Sequence, residues 1–221
     1  MAVAQLLVFL RTPLPGQTKT RLAQVIGDER AVTLYTAFAE DTLSLCQRIA
    51  EAGDVDIALW HAGPRTDQIV HWAETVSATM HAQPSGTLGD RLEAAFASGL
   101  SVYESVVAIG SDAPTLPASL LASTFDALSR AQLVLGPTSD GGYYAIGASA
   151  RRTPSFEHVR WSTEHTYADT RRANSNTAFA ATAPWYDVDR PEDLELLRAH
   201  LSLDPGAAPA TAEALGFAGH K

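Results

Sequence analysis

The chain has 221 residues, 46% of them hydrophobic, which suits one α/β domain with a substantial core. Its 16 Lys and Arg against 25 Asp and Glu give a formal net charge of −9, a field that disfavours nucleic acid and anionic membrane surfaces. The single cysteine, Cys46, excludes an internal disulfide and a cysteine-rich metal site; it falls on the apolar side of a predicted helix.

The first apolar run, Ala2 to Leu10, has no basic leader region and is too short to span a bilayer. It reads as the first strand, Gln5 to Leu10, of a cytoplasmic protein. The loop from Arg11 to Thr18 follows, and within Pro15-Gly-Gln-Thr-Lys-Thr-Arg-Leu22 the basic pair Lys19 and Arg21 comes just after Gly16. A glycine-containing loop followed by basic residues can cradle a di- or triphosphate, with Lys as a point charge and Arg as a fork. The glycine spacing fits neither a P-loop nor a Gly-x-Gly-x-x-Gly fingerprint, and solvated basic residues are the plainer reading.

Helical periodicity runs from about Asp28 to Ala52, with Ala31, Leu34, Phe38, Leu45 and Ile49 on one face. Val55 to Trp60 is strand-like and Asp67 to Thr75 helical. After Pro84-Ser-Gly-Thr-Leu-Gly a helix is predicted near Asp90 to Leu100. Arg91 sits in its first turn, a poor place for a cation unless an anionic partner is present.

Val106 to Ile109 is a short buried strand that Gly110 and Ser111 end abruptly, leaving Asp112 at its carboxyl end. Ligands of open α/β sheets lie at such ends, and a carboxylate there can hold a divalent cation against a phosphate. The competing reading makes Asp112 a cap for the predicted helix Ala118 to Ser129. The arrangement returns at Leu133 to Gly142, where a strand (Leu133 to Leu135) is followed by Ser139-Asp140-Gly141-Gly142. Asp-Gly is a turn dipeptide in its own right, and Tyr143 to Ile146 reads as the next strand.

Arg151 to His165 is polar and aromatic with little periodicity, which suits an acceptor-binding loop or an ordinary surface segment. Tyr186-Asp-Val-Asp-Arg-Pro-Glu-Asp-Leu194 gathers carboxylates around a helix start that Pro191 opens. Glu192 and Asp193 suit the helix dipole, whereas Asp189, and Asp187 as second choice, are oxygen donors suited to magnesium or manganese. Residues 1–203 read as one domain, and 204–221 as a loosely held tail rich in Pro, Ala and Gly. The alternation of strand and helix predicts a mainly parallel sheet covered on both faces.

Several motifs occur in a fixed order: Arg11 with Pro13, Pro15, Gly16 and Lys19-Thr-Arg-Leu22; Leu88-Gly-Asp-Arg-Leu92; Ile109-Gly-Ser-Asp-Ala-Pro114; Gly136-Pro137; Asp140-Gly-Gly-Tyr-Tyr144; Trp161-Ser-Thr163; and Asp187-Val-Asp-Arg-Pro-Glu-Asp-Leu194. Together they resemble the bacterial rSAM/selenodomain-associated transferases, also labelled glycosyltransferases of arsenosugar pathways. The resemblance extends to about Leu201. It implies a nucleotide-diphospho-sugar transferase (GT-A) fold, shared with phospholactate guanylyltransferase and molybdopterin nucleotidyltransferases. It also implies a nucleotide or nucleotide-sugar donor, a small-molecule acceptor, and a divalent cation held by Asp112 with Asp189 or Asp187. Arg11, Gly16, Lys19, Arg21 and Arg91 would bind the nucleotide. Asp140 would be catalytic, with Gly141, Gly142, Tyr143, Trp161 and Ser162 on the acceptor side.

The expected activity is glycosyl transfer from a nucleoside-diphosphate sugar. The alternatives are guanylyltransferase-like nucleotidyl transfer releasing pyrophosphate, since Lys-Thr-Arg-Leu is similar to the Lys-Ser-Arg-Leu of phospholactate guanylyltransferase, and a non-catalytic nucleotide-binding module. The Asp-x-Asp of many GT-A glycosyltransferases is missing around Asp112, as is the Gly-x-Gly-Thr-Arg loop of many sugar nucleotidyltransferases. The nucleotide base, sugar, acceptor and oligomeric state are not readable from the chain.

Overall fold

A computed structural model describes residues 3–149 and 152–217. Strand β1 (Ala4–Arg11) is almost continuously apolar because both faces of it are covered. It lies between β2 (Val55–Ala62) and β4 (Ser105–Gly110), parallel to both, with β3 (Thr79–Ala82) beside β2 at one edge. Beyond β4 come β6 (Tyr143–Ser149), β5 (Leu133–Pro137) and β7 (Phe179–Ala181), completing a seven-stranded sheet of order β3-β2-β1-β4-β6-β5-β7. Only β6 runs against its neighbours, so the mainly parallel sheet expected from the alternation is present.

Helices α2 (Asp28–Ala52), α3 (Asp67–Thr75) and α5 (Ala118–Ala127) cover one face, where Leu6, Val8, Cys46, Leu59, Trp72, Val107 and Leu121 pack together. On the other face α4 (Leu88–Leu100) buries Leu92, Ala95 and Phe96 against Leu7, Ala108 and Ile146. Thr87 and Asp90 close a reciprocal capping box at its N-terminus. α6 (Thr166–Ala173) sits beside β7, and Arg171 lies 4.6 Å over the Phe179 ring.

A smaller core joins α1 (Thr20–Ile26) and α2 to α7 (Pro191–Leu203) and α8 (Pro209–Ala214) through Leu22, Phe38, Leu197, Leu201 and Ala212. This corrects the reading of residues past Leu203 as a loose tail. Ala208, Thr211 and Ala212 are buried, and both Asp41 carboxylate oxygens accept backbone N–H groups, from Ala210 (3.0 Å) and Thr211 (2.8 Å). Residues 218–221 of that segment, and Arg151 of the polar stretch, lie outside the described residues.

Chain direction explains where a ligand can bind. From β1 the chain crosses toward β2, whereas β4 lies on the opposite side of β1, so the connections diverge between β1 and β4. The crevice beyond the carboxyl ends of those strands is the expected binding position in such a sheet.

Candidate active site

A cleft of about 720 Å³ opens at that point. Arg11 and residues 17–21, which run into α1, form one wall after β1, and Ser111 with Asp112 another after β4. Thr18 is buried and folds the first loop, its hydroxyl accepting from the Leu14 N–H at 3.0 Å. That fold ends at Lys19, which adopts a left-handed backbone (φ 47, ψ 46) immediately before α1. A non-glycine residue held there stores strain, of the kind that recurs at functional sites.

Lys19 Nζ lies 2.6 Å from Asp112 Oδ1, 2.6 Å from Asp189 Oδ1 and 2.7 Å from the Val188 carbonyl oxygen. These three acceptors match the three donors of an ammonium, so Lys19 is fully engaged by the protein. Its side chain is 6% exposed. Burial alone would lower the Lys19 pKa, but the two carboxylates override it and hold the group charged. In Asp189, burial likewise opposes ionisation and the Lys19 ammonium overcomes it, keeping the carboxyl below its ordinary range. The Val188 N–H donates to the Asp112 carbonyl at 2.8 Å, fastening the two acidic segments together.

The capping reading of Asp112 is set aside, and Asp189 is not a helix cap either. Pro117 occupies the N-cap of α5 without a side-chain bond, so Asp112 does not cap it. Arg190 occupies the N-cap of α7, and Asp193 accepts from the Asp189 and Arg190 N–H groups. Among the described residues no three His, Cys, Asp or Glu side chains form a metal-binding group. The oxygen cradle around Lys19 nevertheless has the donor chemistry of a hard cation, two carboxylates and a carbonyl, with an ammonium standing where the cation would be.

Asp187 neighbours this cradle. Its pKa is raised to about 7, first by burial and then by the charges of Asp140, Asp189 and Asp112. Folding therefore favours its protonated form, a contribution that is complete below the ordinary carboxyl range and lost as pH rises through about 7. In chelator-containing buffer Asp187→Asn should leave stability unchanged near pH 4 and raise it above pH 7. The gain, screened at this partly exposed position, should be about 1–2 kcal/mol or roughly 2–8 °C in melting temperature. Melting curves at both pH values check this; a gain confined to pH 4 would contradict it.

The remaining sequence-selected residues divide. Arg21, Arg91, Tyr143 and Ser162 line the cleft with Arg11, whereas Gly16, Asp140, Gly141, Gly142, Trp161 and Asp187 do not. Asp140 is exposed, and its Oδ1 accepts from the Thr138 hydroxyl (2.5 Å) and the Gly142 N–H (2.9 Å), so it does shape the turn. Trp161 packs on Phe156 (ring centroids 5.8 Å apart) and over Gly89 of α4, leaving Ser162, with left-handed φ 58, to face the cleft. Asp169 anchors the segment before it, accepting from the Arg160 backbone and guanidinium. Tyr143 is raised in pKa by burial, and its hydroxyl accepts from Thr170 at 3.5 Å.

Sequence reasoning missed two supports. Tyr35 of α2 accepts from the Arg11 N–H at 2.7 Å and shares a hydrogen bond with Ser111 at 2.9 Å, joining both walls of the cleft. Gln83 donates to the Leu10 and Trp60 carbonyls (3.3 and 2.8 Å) and accepts from Arg91 at 3.3 Å, so it aims that guanidinium. Arg91 Nε is buried and finds no partner among the described residues. Both supports are side chains on otherwise ordinary helix or loop positions, and the chain carries no local signal for them.

Residues 45–163, more than half of the chain, match the family described as an uncharacterized protein conserved in bacteria (DUF2064). The chain belongs to that family. No curated protein matches this DUF2064 chain in sequence. Among solved structures it is similar to a candidate nucleotide-diphospho-sugar transferase of Desulfovibrio desulfuricans G20, 27% identical. That match covers 96% of this chain and 95% of the other, with a TM-score of 0.82. A cytidylyltransferase of Leptospira borgpetersenii is 12% identical over 98% of this chain and 94% of its own, with a TM-score of 0.59. The inositol-1-phosphate CTP transferase of T. maritima is 10% identical over 99% of each chain, with a TM-score of 0.52. The last two share the fold, and with the first they identify it as the nucleotide-diphospho-sugar transferase fold expected from the motifs. No described helix is long and apolar enough to cross a membrane.

Proposed function

We propose that the DUF2064 chain is a cytoplasmic, divalent-cation-dependent transferase of the rSAM/selenodomain-associated kind, moving a glycosyl group from a nucleoside-diphosphate sugar to a small acceptor. The observation that carries this reading is the convergence of Asp112, Asp189 and the Val188 carbonyl on the Lys19 ammonium, in a cleft that Arg21 and Arg91 also line. A similar protein bearing the nucleotide-diphospho-sugar transferase description supports the donor class.

Asp112 and Asp189 would hold magnesium or manganese, which supplies charge neutralisation at the leaving diphosphate. Arg21 and Arg91 bind donor oxygens through their forked N–H groups, and Gln83 fixes the direction of the second. On the acceptor side Asp140 keeps Oδ2 outside its turn and is suited to take a proton from an acceptor hydroxyl. Tyr143 and Ser162 line the cleft.

Nucleotidyl transfer is the second reading, favoured by Lys19 and Arg21 lining the cleft straight after β1. The test is a thermal-shift panel of nucleoside triphosphates and nucleotide sugars, with and without magnesium or manganese, followed by product analysis. A true donor at about a hundredfold excess over its dissociation constant should stabilise the protein by roughly 3 kcal/mol, and only with metal. Release of nucleoside diphosphate from a nucleotide sugar supports the first reading, and pyrophosphate from a triphosphate the second. Metal-independent stabilisation with no turnover would overturn both and leave a binding module.

A further inference from the structure

Lys19 is a conspicuous choice of occupant for an oxygen cradle. The chain holds only two lysines, Lys19 and Lys221, among its 16 basic residues. Lys19 is nearly buried, sits in a strained left-handed backbone, and spends all three ammonium donors on Asp112 Oδ1, Asp189 Oδ1 and the Val188 carbonyl. Those oxygens lie 2.6–2.7 Å from one nitrogen, so a second cation cannot share the position. An ammonium so engaged has no donor left for a phosphate.

From this geometry we propose that Lys19 is a built-in competitor of the divalent cation: in the nucleotide-free protein it fills the Asp112–Asp189 cradle, and cation and ammonium exclude one another there. The inference rests on the metal reading above and adds a rule of binding order. Displaced by metal alone, the ammonium would lose three charge-assisted bonds with nothing in return. With a nucleotide in the cleft, its phosphate oxygens offer the ammonium replacement acceptors, and the carboxylates are released to the metal. Metal and nucleotide then each strengthen the binding of the other by the same factor, and Lys19 adds to the coupling that neutralisation of the diphosphate already gives.

The test is Mn²⁺ titration of the wild type and Lys19→Met, followed by electron paramagnetic resonance of free Mn²⁺, alone and with GDP, CDP or UDP. Methionine keeps an apolar stem and removes the charge, whose nitrogen stands 5.7 Å from the Phe38 ring centroid. Without nucleotide the variant should bind Mn²⁺ at least about tenfold more tightly than the wild type. The wild-type gain on adding the effective nucleotide, also about tenfold or more once Mn²⁺ held by free nucleotide is subtracted, should be several-fold smaller in the variant.

If the wild type binds Mn²⁺ with nucleotide but Lys19→Met gains nothing alone, the metal reading stands and the competition is overturned. If neither protein binds Mn²⁺ under any condition, the metal reading itself falls. A second measurement protects against a variant that does not fold. Wild-type protein labelled with ¹⁵N at lysine side chains should show a slowly exchanging Lys19 ammonium, set apart from Lys221, that shifts when Mg²⁺ and nucleotide saturate the site. An unmoved Lys19 signal at saturation overturns the proposal whatever the variant does.

Discussion

Asp112→Asn should lower turnover by at least about 100-fold while the folded protein persists. An asparagine oxygen can still accept from Lys19, so the cradle keeps three hydrogen-bond acceptors and loses one formal charge. Asp189 and the Val188 carbonyl continue to hold the ammonium, and the backbone bond from Val188 to the Asp112 carbonyl is untouched. The loss should therefore fall on the chemistry, since a hard cation needs the carboxylate charge to stay bound while it offsets the leaving group. A hundredfold loss corresponds to about 2.7 kcal/mol of transition-state stabilisation. Turnover with saturating metal and donor, set beside the apo melting temperature, separates the cases. A melting temperature that collapses along with activity would recast Asp112 as a structural ion-pair partner. Activity within a fewfold of wild type would remove it from the proposed metal site.

Elements with their own periodicity were legible. The central apolar run of β1, the 25-residue α2 and the abrupt end of β4 at Gly110 each carry a local signal, and the structure has each in place. Asp112 and Asp189, which the family resemblance pairs with Asp187 as the alternative to Asp189, meet at one ammonium. Which cation they meet was not legible. Lys19 and Asp189 are 170 positions apart, and nothing in the Lys-Thr-Arg-Leu loop tells a phosphate ligand from a carboxylate ligand.

The short elements escaped for the opposite reason. The three residues of β7 and the four of β3 are too few for alternation to register, and the seven of α1 barely complete two turns. The C-terminal segment misled because its Ala, Pro and Gly content resembles a linker. Small residues are also what allow α8 to seat against α2, with Asp41 satisfying two of its N-terminal donors. Composition describes the surface a segment offers, not the surface waiting to receive it.

Gly141→Ala should be the most damaging single-methyl change near the site. Gly141 holds φ +87, and a Cβ there would run into the carbonyl oxygen, Cα and carbonyl carbon of Glu164. These are backbone atoms that cannot rotate aside. The Gly141 carbonyl also accepts from the Tyr167 N–H at 2.8 Å, so the Asp140 turn and the start of α6 are clasped together. Relieving the collision means parting them and giving up that bond. The combined backbone strain and overpacking should cost about 3 kcal/mol or more, roughly 6–12 °C in melting temperature for a chain of this size. Gly142→Ala is the internal control. Its φ is not in the left-handed region, and its nearest neighbours are the side-chain oxygens of Thr138 (3.1 Å) and Asp140 (3.2 Å), which can shift. It should lose less than half as much. Melting curves of the two variants decide the matter, because equal and small losses would mean that the turn and the 163–167 segment are free to separate. In that case neither Asp140 nor Ser162 would be held where the proposed acceptor chemistry needs it.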